Sequence, residues 1–337
     1  MADLTTLLNT IRSNASTEYQ TRVPVATQNN ITEVGSPITS YASCQNEFLS
    51  ALVERIAMTI VRNRTLKNPL SVLKKGGIPL GKDIQEIITN LTKSEKFDEN
   101  GTELLKRSKP DVKAIYHRMN RQDQYTVTIS RQQLQTAFVS YSALQNLLDS
   151  IVNTLYSSDN YDEFILMKNL FASAIKENKI LNLSVEDITT NPKDFVKNVR
   201  TCSSNMVFPS TNFNSYNIVK SDDQNKLITW TPKENQILIL RSDVETEIDI
   251  EVLAVAFNMS KTDLLTRTLV VDSFGSATDT YGILCDSSFV QVYDNLQELT
   301  NFYNPKGLYY NYYWNHWQTY SLSLFANAVA FSKKQTI

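Results

Sequence analysis

The closest approach to a catalytic motif in this chain is Gly76-Gly77-Ile78-Pro79-Leu80-Gly81-Lys82-Asp83. From the first glycine to the lysine it has the spacing of a phosphate-binding loop, whose backbone N–H groups cradle phosphates and whose final position gives a hydroxyl to magnesium. Asp83 has no hydroxyl to give, and Pro79 removes one backbone donor from the cradle. The preceding Ser71–Lys75 is partly basic, where a buried apolar strand is needed. A turn in an extended segment is the better reading. A P-loop-like ATPase built on Gly76–Lys82 is the alternative.

The chain has two histidines, His117 and His316. Neither has a ligand partner four residues on or a Gly-x-Ser-x-Gly elbow to serve, so both are expected to be structural or solvent-facing. Asp243, Glu245, Glu247, Asp249 and Glu251 precede a helix expected from Ile250. A hard cation needs several oxygen ligands, but acids at a helix start already complement its dipole without an ion. Cys44, Cys202 and Cys285 are far apart and odd in number. They fit neither a metal spacing nor a disulfide framework and are expected to be reduced and buried. The expectation is therefore no catalytic residue, no cofactor and no metal.

Two further patterns concern surfaces. Arg62, Arg64, Lys67, Lys74, Lys75 and Lys82 follow one another with no acid among them, and acids then gather at Asp83, Glu86, Glu95, Asp98, Glu99 and Glu103. Nucleic acid could meet the basic run, but an acidic segment of a neighbouring copy fits equally well and is preferred. This makes Arg62, Arg64, Lys67, Lys74, Lys75, Pro79, Lys82 and Glu86 the candidate inter-subunit contacts. The block Tyr309, Tyr310, Tyr312, Tyr313, Trp314, Trp317 and Tyr320 could stack bases in a single-stranded nucleic-acid-binding protein. Between Gly307 and Phe331 no basic residue is interleaved to follow a phosphate backbone, so a packed strand is the preferred reading.

The elements that must position these residues come from periodicity. Residues 1–45 are polar and punctuated by Pro24, Gly35 and Pro37, which predicts an extended N-terminal arm with few core positions. Phe48, Leu52, Val53, Ile56 and Ile60 predict an amphipathic helix over 46–61. Residues 62–131, broken by prolines and glycines, predict a two-stranded excursion that ends in a strand at Tyr125–Ile129. Two helices are predicted next, at about 133–156 and from Asn160 to Asn178, the second with Asn160 and Glu163 at capping-box spacing. Mixed elements follow: helices near 193–204 and 250–257, and strands at Gln236–Leu240, Thr268–Asp272, Ile283–Cys285 and Val290–Tyr293. The aromatic stretch from Gly307 is strand-like. The order implies an α+β chain.

Composition agrees with a globular protein that does not grip nucleic acid through charge. Of 337 residues, 42% are hydrophobic and 20% charged, and 33 Lys and Arg nearly cancel 35 Asp and Glu. Tight phosphate binding usually brings a basic excess. Met1–Asn9 lacks the pattern of a signal peptide, and no run approaches the ~18 apolar residues of a membrane span.

Ordered along the chain are Val23-Pro24-Val25-Ala26-Thr27, Leu52-Val53-Glu54-Arg55-Ile56, Asn68-Pro69-Leu70, Ile78-Pro79-Leu80-Gly81 and Thr136-Ala137-Phe138-Val139-Ser140. Ala256-Phe257-Asn258-Met259 and Val292-Tyr293-Asp294-Asn295-Leu296 follow, then Asn304-Pro305-Lys306-Gly307-Leu308-Tyr309, Trp317-Gln318-Thr319 and Phe325-Ala326-Asn327-Ala328-Val329-Ala330-Phe331. In this order and spacing the chain resembles the major capsid (head) proteins of small short-tailed phages with protein-primed DNA replication. The resemblance implies a Hong Kong 97-type capsid fold. Residues 1–45 would be the N-terminal arm, 46–61 a peripheral-domain helix and 62–131 the extended loop. Residues 132–180 would be the peripheral domain with its spine helix, 181–300 the axial domain and 301–337 a peripheral-domain strand, with no C-terminal immunoglobulin-like domain. It implies a non-enzymatic shell subunit that assembles with itself as pentamers and hexamers in the host cytoplasm and ends up in the virion. Its implied partners are a scaffolding protein, a portal or connector protein, and enclosed double-stranded DNA held without sequence specificity, with no membrane.

Overall fold

The computed structural model describes residues 4–60, 66–97, 99, 105, 107–248 and 267–334. Four helices open the chain: α1 (Leu4–Asn14), α2 (Thr17–Arg22), α3 (Ile31–Ser40) and α4 (Ala42–Ile60). A 3-10 turn at Pro69–Leu73 leads to β1 (Lys74–Gly77), β2 (Ile84–Thr89), β3 (Val112–His117) and β4 (Arg121–Ser130). Then come α5 (Arg131–Ala137), α6 (Tyr141–Lys176), β5 (Leu181–Val185), α7 (Pro192–Met206), α8 (Ser215–Val219), β6 (Gln236–Arg241) and α9 (Ser242–Glu247). The last strands are β7 (Thr268–Val271), β8 (Thr280–Asp286), β9 (Val290–Asn304), β10 (Tyr309–Leu322) and β11 (Ala328–Lys333). The α+β class is as expected. The helix expected at 250–257 lies outside the described residues.

The chain forms two compact units. The first comprises Met1–Asn68, Arg121–Glu163 and Asp294–Trp317. Its core draws on Leu4, Leu8 and Ile11 of α1, Ile31, Val34 and Ile38 of α3, Phe48 and Leu52 of α4, and Tyr310, Tyr312 and Trp314 of β10. Residues 4–45 are thus largely helical and buried on one side, not an extended arm with few core positions. The apolar residues recur at i, i+3 or i+4, and i+7, but the Ser, Thr and Asn between them conceal the stripe. Gly35, which reads as a breaker, sits inside α3 for a packing reason. A Cβ there would lie 2.4 Å from Phe138 Cβ, so glycine is what lets Phe138 approach the helix. Arg12 then ties down the C-terminal end of α2, donating to the carbonyls of Val23 (2.7 Å) and Gln20 (2.8 Å).

α6 is one helix of 36 residues, about 54 Å long. Two helices with a fresh start at Asn160 are not what forms. Ser157-Ser158-Asp159-Asn160 reads as a stop because such side chains compete with the helix backbone. Here Asp159 is instead 5% exposed and turned to partners. It accepts from Arg121 Nη2 (2.9 Å), Trp314 Nε1 (2.9 Å) and His316 Nδ1 (2.6 Å). Tyr125 Oη, itself contacted by Arg121 Nη2 at 2.7 Å, donates to Asp162 at 2.7 Å. Burial alone would raise the Asp159 pKa, but its bonds from His316 and Trp314 and the nearby Arg121 lower it. The capping box falls at Ser130 and Gln133, opening α5.

The second unit comprises Pro69–Asn120, Phe164–Tyr293 and Gln318–Ile337. Its main sheet runs β5-β11-β8-β6-β7, with β11 parallel to β5 and β6 parallel to β7. Successive side chains of a strand point to opposite faces, and both faces are covered. Ile239, Ile283, Cys285, Ala328 and Ala330 pack with Met167, Phe171 and Ile175 of α6. Leu238, Leu240, Leu284, Val329 and Phe331 pack with Phe195, Val199 and Met206 of α7. The aromatic C-terminal stretch therefore splits. β10 lies in a sheet of order β1-β9-β10-β4, whereas β11 is an interior strand of the five-stranded sheet, so 301–337 is not a single peripheral strand.

Candidate assembly surface

The excursion expected over 62–131 is shorter and better defined than the sequence suggested, because β4 joins β10 in a sheet and Leu70 and Leu73 are buried in a core. What remains is a two-stranded ribbon, β2 paired antiparallel with β3 from Ile84↔His117 to Thr89↔Val112. Its period-two burial sends Ile84, Glu86, Ile88, Lys113, Ile115 and His117 to one side. The other side carries Gln85, Ile87 and Thr89 opposite Tyr116, Ala114 and Val112. Ile87 is 57% exposed, Val112 52% and Tyr116 60%. Beyond the ribbon, Phe97 and Leu105 are almost fully exposed. Of the eighteen large apolar side chains exposed among the described residues, nine fall between Leu66 and Tyr116. A single exposed leucine needs no explanation, but this concentration within one segment makes it a candidate interaction surface.

The inward side is anchored by polar bonds within the second unit. His117 is buried, with Nδ1 at 2.7 Å from Ser321 Oγ and Nε2 at 3.1 Å from Glu86. The other Glu86 oxygen accepts from Ser323 Oγ at 2.7 Å. Asn120 donates to the Tyr320 carbonyl, and Asn90 to that of Lys226. Lys113 Nζ meets Asp223 at 2.7 Å. That bond, with those from the Asn225 N–H and Tyr216, pulls the Asp223 pKa down to about 2. At its far end the ribbon closes with Asn90 N–H donating to the Asp111 carbonyl at 2.9 Å. A rigid base thus carries an apolar outer face.

Of the candidate contact residues, Arg62 and Arg64 lie outside the described residues. Lys67, Lys75, Pro79 and Lys82 are exposed, and Lys74 is half-buried. Lys75 donates to the Ser287 carbonyl at 2.6 Å. Glu86 is turned inward to His117 and Ser323, and Asp83 pairs with Arg118 at 2.9 Å. The apolar outer face of β2 and β3 was missed. Alternation at Gln85-Glu86-Ile87-Ile88-Thr89 was its signal, but two adjacent isoleucines obscured which side was open.

The phosphate-loop reading fails on geometry. Gly76 and Gly77 belong to a strand, Lys82 N–H donates back to the Pro79 carbonyl at 3.3 Å in a turn, and a strand follows where the motif requires a helix. Gly81 (φ +80°) serves this turn and Gly76 (φ +111°) lies in the preceding strand, both in a backbone region that side chains disfavour. The aromatic block is packed: Tyr310, Tyr312, Trp314 and Tyr320 are buried and the others half-buried. All three cysteines are buried and free, and burial raises the Cys202 pKa to about 11 and that of Cys285 to about 12. Of the acid cluster, Asp243 pairs with Arg241 at 2.6 Å on the short α9, whereas Asp249 and Glu251 lie outside the described residues. Among the described residues no helix is long and apolar enough to cross a membrane.

The second unit thus joins a two-stranded ribbon to a sheet covered on both faces. The capsid structure of Staphylococcus phage Andhra matches this chain with a TM-score of 0.67 at 12% identity, covering 81% of this chain and 86% of that one. The fold is therefore the Hong Kong 97-type capsid fold. Sequence comparison narrows the class. Residues 8–332 match the family model for the Phi29-like phage major capsid protein, and the chain belongs to that family. It is 37% identical over 332 residues to the major capsid protein of Bacillus phage PZA and 36% identical over 332 residues to that of Bacillus phage B103. In each case 96% of this chain and 72% of the relative are covered.

Proposed function

We propose that this chain builds the icosahedral head shell of a tailed phage by associating with copies of itself as pentamers and hexamers around double-stranded DNA. The observation that carries the reading is the apolar outer face of the β2–β3 ribbon with the exposed Phe97 and Leu105 beyond it. A single chain leaves that surface in water, and a neighbouring copy covers it. In this reading the ribbon and its flanks are the extended loop, and Lys67, Lys74, Lys75, Pro79 and Lys82 rim the contact. The long α6 is the spine helix, and the five-stranded sheet with α7 is the heart of the axial domain. A stable contact of this kind buries at least ~1,000 Å² in total.

The subunit's work is association, without catalysis of its own. Its near-neutral charge suits enclosure of DNA over tight binding. A scaffolding protein and a portal are the partners such a shell requires, and host cytoplasm is where it would form before becoming the virion. The test is electron microscopy of the expressed chain, with scaffolding protein supplied, against a variant in which residues 91–110 are replaced by an Asn-Gly turn joining β2 to β3. Shells are expected from the full chain, and a folded, soluble, unassembled subunit from the variant. Normal shells from the variant would remove the extended loop from the mechanism, and no particles from the full chain under any condition would remove the function.

A further inference from the structure

One polar cluster in the first unit has no part in the assembly surface. Glu163 on α6, Asp294 on β9 and His316 on β10 each offer a ligand atom, and these atoms all lie within 4.8 Å of one another. Glu163 and His316 are each 1% exposed, and Asp294 is half-buried. His316 Nε2 lies 3.0 Å from Asp294 Oδ1. Its other nitrogen is held by Asp159 at 2.6 Å, the carboxylate–imidazole relay that fixes a ligating histidine's tautomer and turns the remaining nitrogen toward a metal. Glu163 is oriented in turn, with its Oε1 accepting from Asn68 Nδ2 at 2.8 Å. The Gln297 amide lies 3.0 Å from His316 Nε2, placing a neutral group at the edge of the cluster.

From this geometry we propose that Glu163, Asp294 and His316 bind one divalent first-row transition-metal ion of the zinc type. Charge supports the choice. Three carboxylates, Asp159, Asp294 and Glu163, surround the imidazole, and Arg121 pairs with Asp159. A divalent ion among these carboxylates would bring two positive charges, whereas a proton on His316 brings one. Buried charges are costly unless compensated in this way. Size supports it as well. Zinc bonds of about 2.0–2.1 Å in a tetrahedron put neighbouring ligand atoms roughly 3.3 Å apart, close to the Nε2–Oδ1 separation already present. One imidazole with two carboxylates suits zinc or manganese better than calcium, which takes six to eight oxygens. Water would complete the set. Asp159 is a positioning residue for this site, not a ligand.

The test is metal content by plasma mass spectrometry of the full chain after dialysis against micromolar zinc, with cobalt as a spectroscopic substitute. One ion per chain is expected, lost in Glu163→Gln and in Asp294→Asn, with affinity lowered about 10- to 100-fold in Asp159→Asn. Because His117 is the only other histidine, ring nitrogen resonances of labelled wild-type chain assign the ligand even where a variant does not fold. Zinc must shift His316 Nε2, identified by comparison with His117→Gln. Wild-type chain that holds no zinc, or that holds zinc with the His316 resonances unmoved, would overturn the proposal.

Discussion

Replacing Ile87 by serine should weaken shell assembly without weakening the subunit. Ile87 is 57% exposed on the outer face of β2. Full burial of such a side chain contributes about 1.5–3 kcal/mol, so covering its remaining exposed part against a neighbour contributes about 0.9–1.7 kcal/mol. At 1.4 kcal/mol per tenfold in an equilibrium constant, each contact weakens about 4- to 16-fold. The threshold concentration for assembly should rise by that factor. Within the isolated subunit the same side chain is already largely in water, and the change should stay within about 0.5 kcal/mol. Light scattering against subunit concentration measures the first quantity, and thermal unfolding of the unassembled chain the second. A threshold within twofold of wild type would show that the outer face of the ribbon is not covered in the shell. A large loss of subunit stability would show that Ile87 is packed within its own chain.

Four other outcomes follow from particular contacts. Gly35→Ala places a methyl against Phe138 and should cost about 1–3 kcal/mol in chemical denaturation; an unchanged midpoint would mean α3 moves freely away from Phe138. Ser130→Ala removes the capping box of α5 and should cost about 0.5–2 kcal/mol in the same assay, whereas no change would deny the cap a role. Lys113→Met should let the Asp223 carboxyl return from about 2 toward its ordinary 3.8 in an NMR titration. A depressed carboxyl favours the folded state above its unfolded pKa, and that contribution disappears as pH falls through the folded one, so the wild-type contribution is lost between about pH 4 and 2; an Asp223 pKa unmoved by the substitution would refute the pairing. Native chain should react with a thiol reagent only after denaturation, because all three thiols are buried and the Cys202 and Cys285 pKa values are raised; prompt modification of any one would contradict its burial.

Much of the fold was legible because strong periodicity leaves few choices. Pro192 at the first turn of α7 and the apolar runs of β6 and β8 read correctly from local pattern. The outward half of the proposed assembly surface was less legible. A ribbon with one side apolar in water looks, in sequence, the same as a ribbon with one side in a core, and the difference depends on a neighbour that a single chain does not encode. The basic run drew attention to charge, while the structure leaves the apolar residues Ile87, Val112 and Tyr116 in the open and turns Glu86 inward. Residues 1–45 failed for the opposite reason. Their core positions are few per turn, and only the pairing of α3 with Phe138 shows that Gly35 is spent on packing.

The waist of α6 shows why such failures cluster where polar residues have distant partners. Asp159 and Asn160 have low helix preference, and the local pattern correctly registers that cost. What local pattern cannot register is the compensation, since Trp314 and His316 lie 155 and 157 residues further on. Three hydrogen bonds to one carboxylate outweigh a propensity deficit of well under 1 kcal/mol per residue, because bonds to a charged group contribute about 1.5–3 kcal/mol each. The same argument predicts where the helix is most vulnerable. Asp159→Ala improves propensity yet leaves the buried Arg121, Trp314 N–H and His316 without their shared acceptor, so it should destabilise the first unit by about 3–5 kcal/mol. Helix content measured by circular dichroism should fall on mild heating in that variant. A variant as stable as wild type, with helicity raised as alanine's propensity alone would have it, would mean that local preference and not the carboxylate's partners governs the middle of α6.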